Sequence, residues 1–208
     1  MKKLLVEFIG TFFLVLVVGL TLVEPGAGSL APIAIGATIA IMVYAGGYIS
    51  GGHYNPAVTL AVWIRGKCDT KEVLPYFGVQ VAGALVAAVV VNFLKAGAFI
   101  APANPEISKA LLVEVLFTFA LAYVVLQTAT SPQTSGNSYY GLAIGSTVLV
   151  GAFAGGAISG GVYNPAVAVG AIVMGLMPAG NIWIFLVANF AGGALAGLVF
   201  KMVNPAQS

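Results

Sequence analysis

The chain has 208 residues, of which 60% are apolar and 7% are charged, and its formal net charge is +2. Soluble proteins carry a much larger share of charged residues, so this composition indicates an integral membrane protein. The small net charge gives no indication of nucleic-acid binding, and the single cysteine, Cys68, excludes an intrachain disulfide framework.

Long apolar runs are visible at about 4–23, 31–49, 72–94, 108–128, 139–158 and 180–202. Each is close to the roughly 20 residues that an α-helix needs to cross a bilayer, so we predict an all-α membrane protein with six spans. The first run follows Lys2 and Lys3 but has no small-residue cleavage site. We interpret it as a retained span rather than a signal peptide.

One segment of the chain, Ser50–Val58, returns as Ser159–Val167. Without gaps, about 16 of 25 positions are identical between residues 34–58 and 143–167, which chance does not explain. The two copies share an Asn-Pro-Ala core and start 109 positions (164 − 55) apart; the cores are Asn55, Pro56 and Ala57, and Asn164, Pro165 and Ala166. We predict a duplicated chain, with the first repeat at 1–103 and the second at 104–208.

Each Asn-Pro-Ala core predicts the start of a short helix, because asparagine is a good N-cap and proline fits the first helical turn. We expect these helices at 55–64 and 164–174, too short to span a bilayer. With an odd number of spans per repeat, the second repeat enters the membrane from the opposite side, so the halves form an inverted pair. The short helices then re-enter from opposite faces and meet near the midplane, which describes a pore.

Lysine and arginine residues indicate the orientation of the chain. With both termini inside, the cytoplasmic side holds Lys2, Lys3, Arg65, Lys67, Lys71 and Lys201, and the outside holds Lys95 and Lys109. Cytoplasmic loops of membrane proteins carry the excess of basic residues. We therefore predict a multi-pass protein of the inner or plasma membrane with cytoplasmic termini.

The spans, the inverted repeat and the two Asn-Pro-Ala cores resemble the aquaporin, or major intrinsic protein, family over essentially the whole chain. The resemblance implies a homotetramer in the lipid bilayer with one pore per protomer. It implies that Asn55 and Asn164 donate amide hydrogens to the permeating molecule, where the positive ends of two half-helices oppose cations. It also implies a ladder of carbonyl acceptors and two carboxylates that support the segments carrying it; these are Gly51, Gly52, His53, Gly160, Gly161 and Val162, with Glu7 and Glu114.

The resemblance also implies where the pore is narrowest, at Ile35, Ala152, Gly161 and Val167. The sequence departs from the family there, because arginine is usual in place of Val167. Water-selective members commonly have histidine in place of Ala152, and glycerol channels typically combine an aromatic pair with the arginine. Two small and two aliphatic residues predict a wider, less polar constriction. We therefore expect a passive channel for water and small uncharged solutes such as glycerol, urea, ammonia or hydrogen peroxide.

Several alternatives stay open from the sequence. A strict water channel, a secondary transporter of a small neutral solute and a structural membrane protein share parts of this pattern. Glu7 and Glu114 could form a proton relay, and His53 could be a pH-sensitive gate rather than a residue that lines the vestibule. With one histidine and one cysteine in the chain, we expect no enzyme activity, no metal site, no cofactor and no nucleic-acid partner.

Overall fold

The computed structural model of the protein describes residues 1–98 and 102–205. In this part of the chain eight α-helices follow one another. They are α1 Lys2–Leu22, α2 Ala31–Ser50, α3 Pro56–Ile64, α4 Thr70–Leu94, α5 Ile107–Val125, α6 Tyr140–Ser159, α7 Pro165–Val173 and α8 Ile182–Val203. Residues 99–101, in the predicted connection between the repeats, and 206–208, at the end of the second repeat, lie outside the described residues.

Six of these described helices, α1, α2, α4, α5, α6 and α8, lie in segments long and apolar enough to cross a membrane. Each overlaps one of the predicted apolar runs to within a few residues. Large apolar side chains such as Leu74 and Phe93 are exposed on the outer faces of the helices, which suits contact with lipid rather than water. The predicted all-α architecture of six spans and two half-helices is confirmed.

The two short helices, α3 and α7, begin at the Asn-Pro-Ala cores. Asn55 and Asn164 are their N-caps in extended conformation, and proline takes the first helical position in both. α7 ends one residue before the predicted end, because Met174 is its C-cap and Gly175 turns the chain with φ +76°. At about 1.5 Å per residue, each helix of 9 residues covers roughly half of a bilayer core.

Helix packing follows the duplication of the sequence. α1 packs on α2 and α4, and α5 packs in the same way on α6 and α8. Each half-helix crosses to the other half, α3 to α8 and α7 to α4. α2 and α6 meet at the centre, where a Cβ atom on Gly36 would lie 2.7 Å from the backbone oxygen of Gly145. Small residues permit such close helix crossings. The repeat boundary between 103 and 104 stays a prediction.

α5 ends in an irregular turn that the apolar run at 108–128 does not indicate. After Val125 the backbone forms one π-helical turn, Leu126–Thr130. Two side chains of the following loop donate hydrogen bonds to carbonyl oxygens of this turn. Thr134 Oγ1 donates to the Gln127 oxygen at 2.6 Å, and Asn137 Nδ2 donates to the Thr128 oxygen at 2.8 Å. Single π turns inside α-helices are frequent at functional sites.

Candidate pore

Asn55 and Asn164 join the starts of the two half-helices. Each Oδ1 caps its own helix by accepting a backbone N–H, from Ala57 at 2.8 Å and from Ala166 at 2.9 Å. Each Nδ2 donates across the centre to the other segment, Asn55 to the Tyr163 oxygen and Asn164 to the Tyr54 oxygen, both at 2.9 Å. An amide NH₂ group has two hydrogens. One hydrogen of each asparagine is therefore not used by these crossed hydrogen bonds.

Tyr54 and Tyr163 supply the carbonyls for this crossed pair of hydrogen bonds. Both have left-handed backbones, with φ of 49° and 48°, a conformation that costs a non-glycine residue about 1–3 kcal/mol. Their rings are buried, and their hydroxyls donate to backbone oxygens of α2 and α6 at 2.8 Å. The sequence does not predict this carbonyl contact, since nothing in it gives a distance across more than 100 positions.

Glu7 holds the chain that leads into α3. Its buried carboxylate accepts hydrogen bonds from Ser50 Oγ at 2.7 Å and from the backbone nitrogens of His53 and Tyr54 at 2.9 and 2.7 Å. Gln80 Nε2 donates a fourth hydrogen bond at 2.9 Å. These four donors occupy both carboxylate oxygens. They explain how an ionisable side chain can lie at membrane depth.

Glu114 holds the chain that leads into α7 in the same way. It accepts from Ser159 Oγ at 2.7 Å, from the nitrogens of Val162 and Tyr163 at 2.9 and 2.7 Å, and from Asn189 Nδ2 at 2.8 Å. Both carboxylates thus contact the segments that the resemblance assigns to them, and neither lines the main cavity described below. The serines and amides that complete the two networks are the partners that the sequence did not predict.

A cavity of about 340 Å³, which we call the main cavity, passes the junction of the half-helices. Its lining includes both pore asparagines and the four positions of the expected constriction, namely Asn55, Asn164, Ile35, Ala152, Gly161 and Val167. Of the expected carbonyl segments, residues 52, 53 and 160–162 also line it, whereas Gly51 lines a different cavity. The structure therefore brings these residues together along one path, and their part in selectivity stays a prediction.

The main cavity also has lining residues that the sequence reasoning missed. α1 contributes Leu14 and Val18, and α5 contributes Leu121 and Val125. These are repeat partners at an offset of 107 positions (121 − 14 and 125 − 18), the offset that also relates Glu7 to Glu114. That offset is the signal that could have found them. At one end the lining consists of aliphatic side chains, and we call this end, with Leu22, Leu176 and Met177, the apolar mouth.

At the opposite end a second cavity of about 400 Å³ opens beside charged side chains. We call it the basic mouth, defined by Lys3, Lys67 and Glu72. Lys3 Nζ donates to Glu72 at 2.8 Å, and Cys68 lines the same cavity. Partial burial raises the pKa of the Cys68 thiol above its ordinary value. His53 and Val125 line both the basic mouth and the main cavity.

The main cavity is lined by no charged side chain of the described residues. Its electrostatics come from backbone groups, because α3 and α7 point their N-termini, the positive ends of the helix dipoles, at the junction. Over residues 1–98 and 102–205, no group of three or more His, Cys, Asp or Glu residues is arranged to hold a metal ion. The arrangement suits an uncharged molecule that can accept a hydrogen bond from the two asparagines.

The sequence of this chain is similar to those of known proteins from one family. The family model described as "Major intrinsic protein" matches residues 1–200. The chain belongs to this family. Among its relatives is "Aquaporin NIP1-3" of Oryza sativa subsp. japonica, 37% identical over 98% of this chain and 74% of that protein. Another is "Glycerol uptake facilitator protein-like 6" of Lactiplantibacillus plantarum, 35% identical over 98% of this chain and 99% of that protein.

A solved structure shares the fold over nearly the whole chain. The aquaglyceroporin from Plasmodium falciparum superimposes with a TM-score of 0.81 at 21% identity, covering 99% of this chain and 98% of that one. At this identity the similarity establishes the fold alone. The family membership and the aquaporin-like fold that the sequence predicts are therefore confirmed.

Proposed function

We propose that the protein is a passive channel for water and small uncharged solutes of the glycerol, urea, ammonia and hydrogen peroxide class, with one pore per protomer. The observation that carries the proposal is the continuous main cavity, which passes both Asn55 and Asn164 and has an aliphatic lining. The names of the relatives, an aquaporin and a glycerol uptake facilitator-like protein, agree with it.

The lining at the four filter positions supports the breadth of this solute class. Ile35 and Val167 present aliphatic side chains, and Ala152 and Gly161 present almost none. No fixed cation or hydrogen-bond donor from these side chains orients water or narrows the path. Exclusion of cations then depends on the N-termini of α3 and α7.

Two features favour a channel over a secondary transporter. The two asparagines hold the half-helices to each other through crossed hydrogen bonds, which opposes a rocking motion of one half against the other. Glu7 and Glu114 are each occupied by four donors and offer no free carboxylate for ion coupling. We therefore expect flux proportional to the concentration gradient.

We further propose that the basic mouth faces the cytoplasm, with both termini there, in an inner or plasma membrane. Lys3 and Lys67 lie at this mouth, in agreement with the excess of basic residues on the cytoplasmic side of membrane proteins. Exposed apolar side chains on the outer faces of the helices offer surfaces for lipid and for neighbouring protomers of a homotetramer.

Stopped-flow light scattering on proteoliposomes tests the proposal. Vesicles with the wild-type protein should shrink faster than empty vesicles in an impermeant osmolyte, and should then re-swell quickly in glycerol and in urea. Val167→Phe should slow both steps, whereas Val173→Phe, on an exposed face of the same helix, should slow neither. Fast shrinkage without re-swelling would favour the strict water channel, and saturable flux would favour the transporter.

A further inference from the structure

The main cavity and the basic mouth adjoin at two shared lining residues. Among the described residues, two side chains line both cavities, those of His53 and Val125. The four expected filter positions, by contrast, all line the main cavity and do not divide it. The outer positions thus lie within one cavity, and the transition from this cavity to the basic mouth lies at His53 and Val125.

We infer that the barrier that sets solute size in this protein lies between His53 and Val125, at the basic mouth, rather than at the outer filter positions. The inference rests on the proposed function, since it concerns which part of the same pore selects the solute. It follows from the lining residues: the outer positions carry small or aliphatic side chains, while the inner junction carries an imidazole ring and a β-branched side chain.

The His53 ring is held on three sides and cannot move aside at little cost. Its Nδ1 lies 3.1 Å from Thr59 Oγ1, and its ring centroid lies 5.2 Å from that of Tyr76. On the third side it lies over Gly51, where a Cβ atom would be 2.9 Å from Nε2. A ring fixed in this way gives the junction a defined width.

His53 Nε2 makes no hydrogen bond to any described residue, so it is the polar atom that the junction offers to a passing solute. An imidazole nitrogen can donate or accept according to the tautomer. A solute with a hydroxyl or amide group can replace part of its hydration there, and an apolar wall on the other side, Val125, gives it no such contact. The junction therefore discriminates by both width and hydrogen bonding.

Val125 is also held in place, by the irregular end of α5. It is the last α-helical residue before the π turn, and it is 3% exposed. Arg65 contacts Thr130 at the far end of that turn, with Nε 3.4 Å from the hydroxyl, and its guanidinium lies 4.7 Å from the centroid of the Phe200 ring. Valine itself has few rotamers, so its side chain presents a defined surface to the junction.

The opposite end of the pore shows what happens without the imidazole. The repeat partners of His53 and Val125 are Val162 and Val18, and both line the main cavity. There the cavity does not close, because it continues to Leu22 and Met177 at the apolar mouth. The main cavity thus continues past two valines at the apolar mouth, whereas at the other end a histidine and a valine lie between it and the basic mouth.

This symmetry provides a matched experiment with the full-length protein in proteoliposomes. The ratio of glycerol to water permeability is measured for Val125→Ala and Val125→Leu, and for Val18→Ala and Val18→Leu as controls of the same residue type in the repeat partner. We expect Val125→Ala to raise the ratio and Val125→Leu to lower it, each on the order of tenfold. The Val18 variants should change the ratio several-fold less than the Val125 variants, because removing two methyl groups or adding one methylene group has less effect where the cavity continues on both sides.

The outcomes separate this inference from the proposed function. A wild-type protein that conducts water but no glycerol contradicts the broader solute class, and the inference then predicts that Val125→Ala, but not Val18→Ala, admits glycerol. Val18 variants that change the ratio as much as Val125 variants overturn the inference. The inference is also overturned if Val125 variants that fold, as judged by a sharp size-exclusion peak, neither raise nor lower the glycerol-to-water permeability ratio.

Discussion

The segments that lead into the two half-helices have the same backbone conformation but differ in their side chains. Gly51 and Gly160 have φ of +93° and +96°, and each segment is held by a buried glutamate with four donors. At Gly51 the His53 ring occupies the adjacent space, whereas at Gly160 an added Cβ atom would meet nothing within 4 Å. Duplication has kept the backbone, and one side chain decides whether the space beside it is filled.

The difference extends to the groups around the two glutamates. Gln80 Nε2 donates to Thr59 Oγ1 on α3 at 3.0 Å, and Thr59 also contacts His53. In the other half Asn189 donates instead to Thr118 Oγ1 on α5 at 3.0 Å, and Ala168 takes the place of Thr59. The hydroxyl that orients the imidazole is therefore present in the half that has the imidazole.

The largest effect on stability and flux should come from the buried glutamate that both halves share. Glu7→Ala and Glu114→Ala each leave four buried donors without an acceptor, at about 1–3 kcal/mol per donor, so we expect both variants to lose several kcal/mol of stability and all flux. Thermal unfolding in detergent measures this, with Glu106→Ala, at an exposed ion pair with Lys109, as the control. A Glu7 or Glu114 variant as stable as Glu106→Ala would contradict the supporting role of that carboxylate.

The next effect concerns the side chain that differs. His53→Val should open the inner junction and raise the glycerol-to-water permeability ratio, and Val162→His should place a ring in the open space at Gly160 and lower it, each on the order of tenfold. The measurement is the same proteoliposome assay. If both exchanges leave the ratio at its wild-type value, the imidazole is not what distinguishes the two ends.

The fold could be predicted from the sequence because its determinants are local or repeated. Hydropathy alone locates α4, predicted at 72–94 and observed at Thr70–Leu94, and the Asn-Pro pair marks the start of α3. The lining of the pore could be predicted only in part. α1 and α5 are apolar on all sides, so no periodicity tells that Val18 and Val125 face the lumen rather than lipid.

Other features depend on distances that the sequence does not contain. The bond from Asn55 to the Tyr163 carbonyl joins positions 108 apart, and no pattern in either segment indicates it. The π turn at Leu126–Thr130 lies within and just beyond an apolar run that predicts a continuous helix. The junction of the two cavities, where the inferred barrier lies, brings together His53 and Val125, which are 72 positions apart (125 − 53), and no pattern in the sequence indicates this pairing.

A smaller effect on the melting temperature distinguishes the strain of a left-handed backbone from a close contact with the His53 ring. Gly51→Ala and Gly160→Ala both force alanine into a left-handed backbone, at a cost of about 1–2 kcal/mol. Gly51→Ala also brings its Cβ atom to 2.9 Å from His53 Nε2, so we expect it to lower the melting temperature more than Gly160→Ala does. His53→Ala in the Gly51→Ala background should remove the excess. Equal melting temperatures for the two single variants would mean that the ring can move.

The smallest effect concerns Cys68, a half-buried thiol at the basic mouth. Burial raises its pKa, and because maleimides react with the thiolate, a raised pKa lowers the reactive fraction at a given pH. We expect slower labelling of native protein than of protein unfolded in dodecyl sulfate, with a difference that narrows as the pH rises. In right-side-out membrane vesicles, a membrane-impermeant maleimide should react only after the vesicles are opened. Rapid labelling of intact vesicles would put the basic mouth outside, so that the histidine junction would be the entrance of the pore for external solutes.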